Sequence, residues 1–204
     1  MRNVTMTVCA LCVLATPAFA ASVSEQRKAI QDMRDETLTR LSQVQPSVNQ
    51  EISKAAGYAV FTSADIAAIF VSGSYGHGIA HDNRNNNETY MQSASAGVGL
   101  GLGAKDFNTV FIFNNADSYY DFVNTGLDLS GHVDAAAKQG TKGAAATGAA
   151  DVLPGVRVYQ LTETGLLAQA MLKGTKYWKD DKLNDYSLGT QVNWGGGHKT
   201  AVNE

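Results

Sequence analysis

The sequence predicts an α+β fold: a mainly antiparallel β-sheet or barrel-like β core, with an N-terminal amphipathic helix ahead of it and short helices on its flanks. Three observations carry that prediction. Apolar residues recur at steps of three and four between Val23 and Val44, the period of a helix with one buried face. Beyond Gly57 the period falls to two, the alternation of strands. Between two of the longest alternating runs lies the polar cluster "HDNRNNNE", His81 to Glu88, which reads as the loop that reverses the chain.

The first twenty residues stand apart from this pattern. Arg2 is followed by the apolar run Val8 to Leu14 and by Ala18-Phe19-Ala20, the layout of a cleavable export signal, so the expected mature chain starts at Ala21 and is periplasmic or extracellular. Cys9 and Cys12 leave with that signal. The remainder then has no disulfide, no thiolate metal site and no cysteine nucleophile, and its core alone must hold it together. Removing Arg2 takes the formal charge from −3 to −4, so net charge gives no general attraction to nucleic acid.

In the amphipathic helix, expected over 21–45, Ile30, Met33, Thr37, Leu41 and Val44 line one side, with Lys28, Arg34, Asp35 and Arg40 around them. Pro46 and Ser47 announce a second, shorter helix to about Ala56, with Ser47 as its cap. The β-rich domain is expected over 46–190, with a tail at 191–204. Its strands are read at "YAVF", "IAAIFVSGSYGHGIA", "TYMQSASAGVGLGLGA", "NTVFIFNN", "LDLSGHVDA", "VRVYQL" and "LLAQAMLKG", with one short helix over Asp117–Asn124 ended by Gly126. Lys138 to Gly155 is a small-residue stretch to which no element is assigned.

The two strands around "HDNRNNNE" share an unusual division of faces. Ser72, Ser74, Gly76, Gly78 and Ala80 lie on one side of the first; Ser93, Ser95, Gly97, Gly99, Gly101 and Gly103 lie on one side of the second. The opposite sides carry Ile69, Val71, Tyr75 and Ile79, and Ala94, Ala96, Val98, Leu100 and Leu102. Burying the apolar sides together fixes the register, with paired residue numbers summing to an odd value near about 171. The small residues then form a nearly side-chain-free track. Each interior glycine costs roughly 0.5–1 kcal/mol relative to alanine, so the track needs a purpose: it bends a barrel wall, receives a helix, or takes a ligand such as an acyl chain.

Motifs of chemistry fail on context. "GLGLGA", Gly99 to Ala104, matches a dinucleotide fingerprint but is followed by a strand where a helix is required. Asp128, Ser130, His132 and Asp134 share a strand face, yet same-face neighbours stand about 6.5–7 Å apart, too far for a nucleophile and its base. No metal-spaced cluster, catalytic constellation or cofactor motif stands out, and the expectation is a protein that is not an enzyme. "KGTKYWKDDK" places Lys173 and Lys176 beside Tyr177 and Trp178, a combination suited to a membrane headgroup region.

Four stretches in order carry a family resemblance: "KAAGYAVF" (Lys54–Phe61), "VSGSYGHGIA", "GVGLGLGAKDFNTVFIF" with its following "DSYYDF", and "GLLAQAMLKG" (Gly165–Gly174). From about Ile52 to Asp185 the chain resembles the SYLF family, lipid-binding domains whose eukaryotic relatives include actin-binding proteins. The resemblance implies a compact β-rich domain that contacts lipid rather than performing chemistry. It also implies that basic, amphipathic N-terminal sequence mediates that contact, here Lys28, Arg34, Arg40 and Lys54. The leading expectation is therefore an exported domain that meets a phospholipid or membrane surface through its first helix, the glycine track, or both. The alternative is an envelope protein-interaction or scaffold module, in which the helix packs permanently on the glycine track.

Overall fold

A computed structural model describes residues 21–68, 71–97, 106–129, 149–162, 165–166 and 174–189. Helix α1 spans Val23–Val44, as its period predicts. Its N-terminus is closed by a capping box: the Glu25 N–H donates to Ser22 Oγ at 3.2 Å and the Ser22 N–H to Glu25 Oε2 at 2.7 Å. Helix α2 covers Val48–Lys54, but Ser47 makes no side-chain cap; its hydroxyl instead accepts from Gln45 Nε2 at 2.8 Å.

Nine described strands form one antiparallel sheet. They are β1 (Gly57–Ala68), β2 (Val71–Asp82), β3 (Glu88–Gly97), β4 (Asp106–Phe113), β5 (Leu127–Asp128), β6 (Ala149–Leu153), β7 (Val156–Thr162), β8 (Gly165–Leu166) and β9 (Thr175–Lys179). Their order across the sheet is β5-β9-β3-β2-β1-β4-β7-β6, with β8 paired to β7. Helix α3 (Ala116–Thr125) follows β4 and ends at Gly126, whose φ of 82° is the left-handed conformation glycine adopts most readily. Helix α4 (Asp181–Asn184) and a 3₁₀ turn (Tyr186–Gly189) follow β9.

Two expectations are corrected here. "IAAIFVSGSYGHGIA" is not one strand: β1 runs on to Ala68, and Ala68 pairs antiparallel with Val71 of β2. Residues 149–153 of the unassigned small-residue stretch are a strand, β6, paired with β7. The hairpin register is borne out, since Ser74 faces Ser95 and Gly76 faces Ser93, sums of 169, odd and close to the expected value.

The sheet is curled. Strands β9 and β4 are separated by β3, β2 and β1, so a flat sheet would hold them about 19 Å apart at ~4.8 Å per strand. Yet the rings of Tyr177 on β9 and Phe111 on β4 have centroids 5.0 Å apart. The face they share is therefore the inside of the curl. Ala59, Phe61, Met91, Phe111, Phe113 and Val158 fill it, and Tyr119 and Phe122 of α3 complete this core.

The glycine track lies on this inner face, and its described part is occupied. A Cβ on Gly78 would stand 2.4 Å from the Phe61 ring, and one on Gly76 2.2 Å from the Thr62 carbonyl oxygen. Cross-strand neighbours Phe61, Ser63, Met91 and Ser93 close over the two glycines. Ser74 and Ser95, further along the same face, hydrogen-bond to each other at 2.6 Å. Gly97 pairs with Ser72, while Gly99, Gly101 and Gly103 lie outside the described residues.

Helix α1 does not receive the track; it packs on the opposite, outer face. Ile30 joins Ile79, Tyr90 and Leu183 in one cluster. Leu41 joins Val60, Val110, Ile112 and Tyr159 in another. Of the expected stripe, Ile30, Thr37 and Leu41 are buried while Val44 is half exposed.

Candidate functional site

Strand alternation decides what β9 offers to the outside. Thr175 and Tyr177 point into the curl and are buried; Lys176, Trp178 and Lys179 are exposed. Tyr177 is thus a core residue, not a headgroup contact. Its burial pushes the phenol's pKa up, against the opposing pull of a hydrogen bond with Thr175.

Trp178, by contrast, opens onto an exposed sector of the outer face that α1 leaves uncovered. It stands opposite Gln92, which stands opposite His77; in the next row Lys176 stands opposite Ala94, and Ala94 opposite Tyr75. Both aromatic residues show substantial surface, Tyr75 at 51% and Trp178 at 37%. The rings of Tyr75 and His77 meet edge to face with centroids 5.4 Å apart. Lys176 reaches Asp128 at 2.8 Å in an ion pair exposed on both sides, which leaves its charge at the surface. Tyr75 was expected on the buried side with Ile79. It shares that side, but α1 covers Ile79 and stops short of Tyr75.

Where this sector meets α1 there is a cleft of about 320 Å³. Gln26, Ala29 and Ile30 of α1 form one wall, Tyr75, His77 and Gln92 of the sheet a second, and Asp180, Lys182 and Leu183 the third. The Asp180 carboxylate is engaged from within the protein on both oxygens: Oδ1 accepts from the Leu183 N–H at 2.9 Å and Oδ2 from Gln92 Nε2 at 2.6 Å.

The basic residues expected to meet lipid are mostly engaged elsewhere. Lys28 pairs with Asp32 one turn along α1, at 2.8 Å. Arg34 donates to Asp35 and to Glu88, which also accepts from Gln31 Nε2 at 2.8 Å. Burial opposes the Arg34 charge, but the hydrogen bonds to Asp35 and Glu88 outweigh it and hold the guanidinium's pKa above its ordinary value. Arg40 donates to the Thr162 carbonyl at 2.9 Å. These arginines fasten α1 to the sheet. Lys54 stays exposed at the end of α2, where it complements the helix dipole. Lys173 lies outside the described residues.

Sequence reasoning located Trp178 and Lys176 but missed Tyr75, His77 and Gln92, which the sheet brings beside them. The signal was available in the pairing register: a hairpin sum of 169 places Tyr75 next to Ala94, two residues from Gln92.

Comparison with known proteins supports this architecture's family. Residues 94–193 match the Ysc84 family model, described as Las17-binding protein actin regulator. The chain is also similar to beta cell expansion factor A of Aeromonas veronii, with 34% identity over 166 residues, 81% of this chain and 62% of the relative. The chain therefore spans less than two thirds of that relative's length. The protein carries a Ysc84-family domain, the SYLF type that its motifs resemble.

Proposed function

We propose that this domain is exported and associates peripherally with phospholipid surfaces through the outer face bearing Trp178, Tyr75 and Lys176, without catalysing a reaction. The observation that carries this reading is the pair of exposed aromatic rings on one sheet face, flanked by lysines. Rings of this kind partition to the membrane–water boundary, and lysine stems extend beside them toward headgroups. The first helix is a poor alternative. Its apolar side is buried against the sheet and its arginines are bonded to it. With so few apolar groups exposed, association is weak, reversible and salt-sensitive.

Co-sedimentation with neutral and with partly anionic vesicles tests the proposal. The domain pellets preferentially with anionic vesicles at low salt, and Trp178→Ala with Tyr75→Ala releases it. A protein that stays in the supernatant with both vesicle types overturns the reading. A second reading, a protein-contact module, draws support from the family's description as Las17-binding. On that reading the same face binds a protein partner, and vesicles retain neither the wild type nor the variant.

A further inference from the structure

The cleft between α1, the sheet and α4 has a composition that the surface reading does not use. Its lining is mixed: Ala29, Ile30, Leu183 and the ring of Tyr75 supply apolar surface. Gln26, His77, Lys182 and the mutually bonded Asp180 and Gln92 supply the polar groups. Among the described residues, the Lys182 ammonium, the His77 ring nitrogens and the Tyr75 hydroxyl make no hydrogen bond or ion pair. The Lys182 ammonium can only donate, the His77 ring and the Tyr75 hydroxyl can each supply a donor, and the carboxylate present already accepts a hydrogen bond on each oxygen. A site that offers donors beside apolar surface selects a ligand with an anionic head and an apolar stem.

Size narrows the class further. Small-molecule sites run from ~300 to ~1,000 Å³. A cleft of about 320 Å³ holds one head and the adjoining part of a single chain, but not a two-chain lipid. We infer that this cleft binds one single-chain amphiphilic anion, its head at Lys182 and His77 and its stem along Ala29, Ile30 and Leu183. Tyr75 belongs to both the cleft and the exposed aromatic sector, so the two are continuous. The inference rests on the lipid-surface reading for where such a ligand is met, and on the cleft alone for how it is held.

Titration calorimetry of the purified chain tests this with soluble eight-carbon probes below their aggregation concentrations. Octanoate or octyl phosphate binds saturably at one site per chain, while the cationic octyltrimethylammonium binds at least fivefold more weakly. Tighter binding of octanoate identifies a fatty-acid-type head, and tighter binding of octyl phosphate a phospholipid-derived one. Lys182→Met weakens binding at least fivefold. Ala29→Trp abolishes it by filling the cleft from an exposed helix position, with an unchanged melting curve showing that the fold survives. Trp178→Ala leaves probe binding intact while lowering vesicle binding, which separates this site from the surface. Absence of binding by both anions, equal binding of the cation, or wild-type affinity in both cleft variants overturns the inference. Loss of vesicle binding alone overturns only the surface reading.

Discussion

Inside the curl, Phe61, Phe111, Phe122 and Tyr177 meet ring against ring, with centroids 4.8 to 6.1 Å apart. Outside it, α1 is seated by a thin apolar line and a series of polar contacts: Arg27 and Arg40 to backbone carbonyls, Arg34 and Gln31 to Glu88, and Asn108 to the buried Thr37 hydroxyl at 2.9 Å. The two faces of one sheet thus solve different problems. Rings each bury roughly 150–250 Å² and tolerate many mutual orientations, so they supply stability. Hydrogen bonds contribute only about 1 kcal/mol net apiece but demand direction, so they fix where the helix sits. The exposed sector with Trp178 and Tyr75 begins where that polar seam ends.

The comparison can be broken most severely from the inside. Phe111→Ala removes a ring touching four others and is expected to cost about 3–5 kcal/mol, read by urea denaturation. A loss under 1 kcal/mol would mean that the inner face is not the main core. Gly78→Ala tests the track itself. Its new methyl meets the Phe61 ring and the Val60 carbonyl at 2.4 Å, so overpacking of about 1–3 kcal/mol is expected. An open, ligand-ready track would accept the methyl without cost.

On the outer face the expected effects are smaller. Arg34→Met leaves Glu88 with one donor fewer, an expected loss of about 1–2 kcal/mol, together with faster hydrogen exchange confined to α1. Tyr159 sharpens the contrast through pH. Burial and the bond its hydroxyl donates to Glu51 push its pKa up to about 12, above the unfolded value of about 10. The folded phenol keeps its proton while the unfolded one loses it, so this contribution is whole below pH 10 and is lost as pH rises toward 12. Tyr159→Phe should flatten that alkaline limb of a stability–pH curve. The smallest effect belongs to Lys28→Ala. Its exposed i,i+4 pair with Asp32 predicts a change within about 0.5 kcal/mol.

These differences also mark what the sequence could express. Period alone located α1 to within two residues at either end and fixed the hairpin to within two of its register sum, because one-residue slips turn every side chain to the wrong face. Period does not say which face lies inside a curl. Tyr177 and Trp178 look equally suited to a membrane boundary in a linear reading, and only the curvature sends one inward. The division between β1 and β2 was invisible for a different reason. Ile69 and Phe70 carry none of the glycine, proline or asparagine signals that mark a turn, so two paired strands read as one. The cleft draws on α1, two strands and α4, and no linear spacing encodes such a meeting.

Arg27 carries a consequence for the order of assembly. From the second turn of α1 it donates to the carbonyls of Leu183 and Asp185 and lies over the Tyr186 ring at 4.6 Å. An early helix is therefore anchored by nearly the last described residues, a loop closure of 156 positions. A growing chain makes α1 first but cannot seat it fully until that late segment has emerged. Throughout that interval α1 can already lean on β1 through Leu41 and on β3 through Arg34, while its first turns wait for their anchor.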